Sequence, residues 1–140
     1  MSQPSEQSPT LPPISDGELL ARFITDSKWV RSDETIRPDA FMPPKDLNLS
    51  VTRYLNLSQA ALWEIGQRVV DAIGIKRSAI LYGSADLRVV QVSQHNLKTE
   101  AVPLPQNANH AHITGWPSEK PAQKSIAQQL AAVAKPRKAP

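Results

Sequence analysis

A chain of 140 residues with 16 Lys and Arg, 13 Asp and Glu, 13 prolines, 5 glycines and no cysteine has room for one domain of ordinary size. Disulfides, cysteine–zinc centres and thiol catalysis are excluded, and no apolar run approaches the ~20 residues of a membrane helix. The net charge of +3 equals the contribution of Lys135, Arg137 and Lys138, which leaves 13 basic and 13 acidic residues elsewhere; nucleic-acid binding therefore has no support beyond a short basic tail, whose few contacts would be screened by salt.

In chain order, Met1 to Pro13 is rich in Ser, Gln and Pro and has the composition of a disordered leader. It has no basic patch running into an apolar stretch, so it is not a signal peptide, and the expected protein is soluble and cytoplasmic, with no membrane partner. A single α+β domain is expected over 14–134, followed by a basic flexible tail over 135–140.

Ser15-Asp16-Gly17-Glu18 has the spacing of a capping box, and Leu19, Leu20, Phe23 and Ile24 follow at helical intervals, which predicts a short amphipathic helix. Trp29-Val30, a Ser32-to-Thr35 turn and Ile36 predict an extended segment folded back on itself. Pro38, Pro43 and Pro44 then exclude a central strand and imply an irregular connection. Leu47, Leu49 and Val51 alternate with Asn48, Ser50 and Thr52 as in a half-buried strand. Ser58 caps a helix predicted over 59–73, with Leu62, Ile65, Val69, Val70 and Ile73 as its apolar stripe.

Ala79 to Gly83 is short and apolar, as a buried strand is; Asp86 to Leu97 suits either a strand or a short helix; Leu97 to Val102 and His110 to Thr114 are predicted strands. Ser118 opens a last helix through Ile126, Leu130 and Val133. This order gives an α+β architecture, a small mixed or antiparallel sheet covered by two or three helices.

Two of the three histidines fall in Asn107-Ala-Asn-His110-Ala-His112-Ile-Thr114-Gly-Trp116-Pro117. On a strand, His110 and His112 share a face. A metal would need a third ligand such as His95 or Asp86; two histidines without a second motif are a weak metal signature, and no metal is expected. His112-Ile-Thr114 resembles the His-x-Thr element of the two-histidine phosphoesterases. That family carries two copies and this chain has one.

Arg31, Arg53 and Arg88 each stand beside a predicted strand, and guanidinium groups converging on His110 and His112 would suit a phosphate or carboxylate. The plainer alternative is local pairing with Asp33, Asp86 or Asp39. Trp63 is expected to pack in the core, whereas Trp29 and Trp116 flank loops and would line a groove or cover the core's rim. No Gly-x-Ser-x-Gly elbow, Walker loop or Gly-x-Gly-x-x-Gly fingerprint occurs, which argues against an α/β-hydrolase site, ATP hydrolysis and a Rossmann-bound cofactor.

The segments Trp29-Val-Arg-Ser-Asp33, Leu49-Ser-Val-Thr-Arg53, Tyr82-Gly-Ser-Ala-Asp86 and Asn109-His-Ala-His-Ile-Thr-Gly-Trp-Pro117 together resemble a family of small bacterial proteins over about Ile14 to Ala134. The resemblance implies a whole small protein; it implies no activity, cofactor or fold.

The functional expectation is recognition of a phosphate-bearing or otherwise anionic small molecule or nucleotide, with or without chemistry on it. His110 and His112 would be acid or base, and Arg31, Arg53, Arg88, Thr114 and Trp116 would be ligand contacts. The competing expectation is a non-catalytic accessory protein that binds a protein partner through its proline-rich segments. The two differ in whether Arg31, Arg53, His110 and His112 face one pocket.

Overall fold

Leu19–Ile24 is the strand on which the rest of the chain is organised. A computed structural model describes residues 11–77 and 80–140; most of the expected leader lies outside them. The elements are β1 (Leu19–Ile24), β2 (Leu49–Arg53), α1 (Gln59–Arg77), β3 (Gly83–Arg88), α2 (Val89–Ser93), β4 (Lys98–Ala101), β5 (His110–Thr114), α3 (Lys120–Val133) and β6 (Lys135–Lys138), with single 3₁₀ turns at Ser27–Trp29 and Pro38–Phe41. The six strands form one antiparallel sheet in the order β4-β5-β2-β1-β3-β6. The expected α+β class is therefore what the chain adopts.

The predicted first helix is corrected to β1. A strand covered on both faces is apolar on both, so it loses the alternation that identifies a strand. Leu20 and Ile24 enter a core shared with Leu49, Val51, Ile113 and Leu130, while Ala21 and Phe23 enter a second core against Leu62 and Ile65 of α1. The resulting apolar positions imitate helical spacing. Glu18, the expected capping residue, instead reaches Arg53 across the sheet.

α1 covers one face of the sheet, and the other is covered by α3, whose Gln123, Ala127, Leu130 and Ala131 form its buried stripe. Each large apolar side chain buried there contributes roughly 1.5–3 kcal/mol. Trp116 is buried beneath α3 with its indole N–H donating to the Ile113 carbonyl at 3.0 Å, so of the two tryptophans flanking loops this one packs in the core. Val30 and Ile36 pair across a turn, as expected.

Two further corrections concern β3 and β6. Of the strand expected over Ala79 to Gly83, Ala79 lies outside the described residues, and from Ile80 onward strand pairing begins at Gly83, with Ile80 and Tyr82 exposed. Its buried residues include Ser84 and Asp86, polar groups that a hydrophobicity pattern assigns to the surface. The Asp86-to-Leu97 stretch resolves into both alternatives, the end of β3 followed by α2, whose start is fixed by the Arg88 amide donating to the Gln91 side chain at 2.8 Å.

The basic segment expected to fray is β6, paired along β3 from Gly83–Lys138 to Asp86–Lys135 and fastened by Arg137 to Asp86. Gly83 lets this edge close. At its φ of +157°, a Cβ would stand 1.9 Å from the Arg137 carbonyl oxygen. Gly83→Ala is expected to cost more than about 1 kcal/mol and to raise amide exchange selectively in β6, as read by urea melts and hydrogen exchange.

Candidate functional site

The strand registers place four polar side chains on the α1 face. Ser50 lies opposite His112 and Thr52 opposite His110, while Leu49, Val51, Ala111 and Ile113 point to the α3 side. β1 and β2 pair only at Leu20–Arg53 and Ala21–Thr52; beyond that they separate. The gap is filled by Arg22, whose Nη1 donates to the Ser50 carbonyl at 3.0 Å and whose Nε donates to the Ala40 carbonyl at 2.8 Å. Trp29 covers the guanidinium, with the ring centre 5.3 Å away, a cation–π contact.

Above this opening is a cleft of about 730 Å³, the size range of small-molecule sites. Its polar surface comes from Arg22, Asp26, Ser50, Thr52, Asn107 and His110, and its apolar wall from Phe23 of β1 and Val69 and Ile73 of α1. The loop between β4 and β5 forms one side and is held from both directions. Asn107 donates to the Thr52 hydroxyl at 2.9 Å, and Arg68 of α1 donates to the Gln106 carbonyl at 3.2 Å.

His110 is 8% exposed and its orientation is fixed. Nδ1 lies 2.8 Å from the Val102 carbonyl, an acceptor only, so Nδ1 carries the proton and donates. Nε2 then accepts from the Ser50 hydroxyl at 3.1 Å. Burial pushes the His110 pKa below its ordinary value, with His112 adding a smaller repulsion from a ring centre 4.8 Å away and the Val102 carbonyl opposing both. His110 is thus a neutral base at pH 7.

Arg22 also feels its burial. Desolvation lowers its pKa to about 10, which leaves it charged at neutral pH. Among the described residues no carboxylate lies within ion-pairing distance of it, and its Nη2 has no protein partner. Asp26 shares the cleft, but its Oδ1 accepts from the Lys28 amide at 2.9 Å and caps the Ser27–Trp29 turn.

Of the residues singled out from sequence, the structure brings His110 and His112 together and places His110 on the cleft, with Trp29 lining it as a groove residue. The others do not converge on it. Arg53 is buried against Glu18 and the Pro12 carbonyl. Arg31 donates to the Ile36 carbonyl at 3.1 Å and borders a separate depression beside α3, and Arg88 holds the Gly17 carbonyl at 2.6 Å. Thr114 bonds Glu100 at 3.3 Å on β4, and Trp116 is in the core.

Sequence reasoning passed over Arg22, Ser50 and Asn107. For Ser50 a signal existed: it is an outward position of an alternating strand. No cluster of three metal-ligating side chains occurs among the described residues. No family model, curated protein or solved structure matches the chain.

Proposed function

We propose that this protein binds a small anionic molecule, phosphate- or carboxylate-bearing and nucleotides included, in the cleft beneath α1, with Arg22 as the cation that holds it. The observation that carries this reading is the half-buried guanidinium at the cleft floor, held by two carbonyls and a tryptophan without an acidic partner among the described residues. A partly desolvated charge without a counter-ion gains from a bound anion, which adds charge-assisted hydrogen bonds. Ser50 supplies a further hydroxyl and the α1 wall an apolar surface for the rest of the ligand. Arg31 and Arg53, on which the anion reading from sequence rested, do not reach this cleft, so the proposal stands on Arg22 and not on the convergence expected from sequence.

The protein-partner alternative has weaker support. Among the described residues the exposed large hydrophobics are Ile73, Ile80, Tyr82, Val90 and Val133, and Ile73 and Tyr82 belong to the cleft itself.

The test is thermal unfolding against phosphate, nucleotides and dicarboxylates. A ligand at 100 times its Kd adds about 2.7 kcal/mol, and Arg22→Gln, which retains a donor for the Ser50 carbonyl, is expected to weaken binding at least tenfold. Absence of a shift across the panel, or an equal shift in the variant, would remove the proposal.

A further inference from the structure

We propose that Ser50 is a nucleophile and His110 its general base, so that the cleft performs acyl transfer from small carboxylic esters to water. This goes beyond anion binding, because it assigns a reaction to the same cleft. Three observations carry it. The Ser50 hydroxyl bonds His110 Nε2 at 3.1 Å, within the reach a base needs. The opposite ring nitrogen is anchored on the Val102 carbonyl at 2.8 Å, which fixes the tautomer with its lone pair towards the serine; a nucleophile, a base and a third group orienting the base constitute the arrangement by which serine is activated. Finally, Ser50 is exposed on the cleft while His110 is buried.

Ser50 supplies the donor that the buried imidazole nitrogen needs, while the hydroxyl itself stays open to the cleft. Such a bond leaves the oxygen accessible and the base shielded. Arg22, anchored on the carbonyl of Ser50 itself at 3.0 Å, sets a positive charge beside the nucleophile, as developing negative charge on an acyl oxygen requires. The site does this without a nucleophile elbow, since Ser50 lies on a strand whose neighbour has separated from it.

Ser50 Oγ forms a bond to the ester's carbonyl carbon while its proton passes to His110 Nε2. The tetrahedral adduct collapses, breaking the carbon–oxygen bond to the alcohol, which leaves with that proton. Water, deprotonated by His110, attacks the Ser50 ester, and the departing Ser50 oxygen recovers the proton. The products are an alcohol and a carboxylic acid, with no net oxidation or reduction.

The full chain treated with an uncharged fluorophosphonate is expected to gain one adduct by intact mass, mapped to Ser50, and to release p-nitrophenol from p-nitrophenyl acetate. Ser50→Ala should abolish both, Ser118→Ala should change neither, and His110→Gln should slow both by about 10²–10⁴-fold. No adduct on the folded protein, an adduct that survives Ser50→Ala, or unchanged rates in His110→Gln would overturn the assignment. Ser50 is exposed, so its alanine variant keeps the fold and decides the matter should His110→Gln fail to fold. Because the probe carries no charge, absent labelling with phosphate binding intact removes acyl transfer alone, and labelling without anion binding removes only the anion reading.

Discussion

Replacing Arg53 with alanine is expected to destabilise the protein by about 3–5 kcal/mol, the cost of leaving one member of a buried ion pair without its partner. Arg53 is 1% exposed and the Glu18 side chain 6%. Its Nη2 donates to Glu18 Oε1 at 2.8 Å and to the Pro12 carbonyl at 2.7 Å. Truncation would strand the Glu18 carboxylate and open a cavity where one of the largest fully buried side chains had been.

The thermal midpoint should fall by roughly 4 °C for each kcal/mol lost. Glu18→Gln should be milder, since an amide still accepts from Arg53. The double change Glu18→Met with Arg53→Met should recover much of the loss, because apolar groups of similar volume need no partner. Urea melts of the three variants measure this. A loss below about 1 kcal/mol for Arg53→Ala would show that the pair is hydrated in solution. The same comparison bears on function: Arg53 lies outside the cleft, so anion binding by its folded variants should match that of the native chain.

Arg53 also shows what the sequence could and could not disclose. β5, β2 and α1 were legible because each turns apolar side chains to a core on one face and carries polar side chains on the other, so its period survives in the residues. β1 was not, because both its faces are buried. Glu18 and Arg53 each carried a local reading, a helix cap and an anion anchor, and each was used by the other from 35 positions away.

β6 was hidden for a related reason. Lys-Pro-Arg-Lys has the composition of a frayed end, and what orders it is a carboxylate 51 residues earlier and a glycine that admits its carbonyl. In the candidate site, His110 stood out by its residue type and its neighbour His112. Arg22 did not, because its role comes from β1 and β2 parting after two pairs, a property of the sheet with no local signature. Position on a strand could have nominated Ser50, but only the β2–β5 register puts it on the same face as the histidines.

Asp86→Ala is expected to have the other large effect, about 3–5 kcal/mol. This carboxylate is buried and accepts from three groups, the Tyr54 hydroxyl at 2.7 Å, the Ser84 hydroxyl at 2.9 Å and Arg137 Nε at 2.6 Å. Removing it leaves the buried Ser84 hydroxyl without its acceptor and detaches β6 from the charge that fastens it. Arg137→Ala should cost less, about 1.5–3 kcal/mol, because Arg137 is half exposed and Asp86 keeps two donors. Coupling between the two, measured by a double-mutant cycle, should be positive and accompanied by faster exchange of β6 amides. Independent losses would mean that β6 is held by its backbone ladder alone.

The cluster has a pH signature as well. Burial first, and then the bond to Asp86 and its negative charge, push the Tyr54 hydroxyl up to about 12, against about 10 in an unfolded chain. The folded state therefore holds this proton more tightly than the unfolded state. The resulting stability is fully present below pH 10 and is lost as pH rises from 10 through about 12. Tyr54→Phe should flatten that part of the stability profile relative to the native chain, with the lysines common to both cancelling in the difference. An unchanged alkaline slope would show that Tyr54 ionises as freely folded as unfolded, and that the Asp86 cluster is open to water.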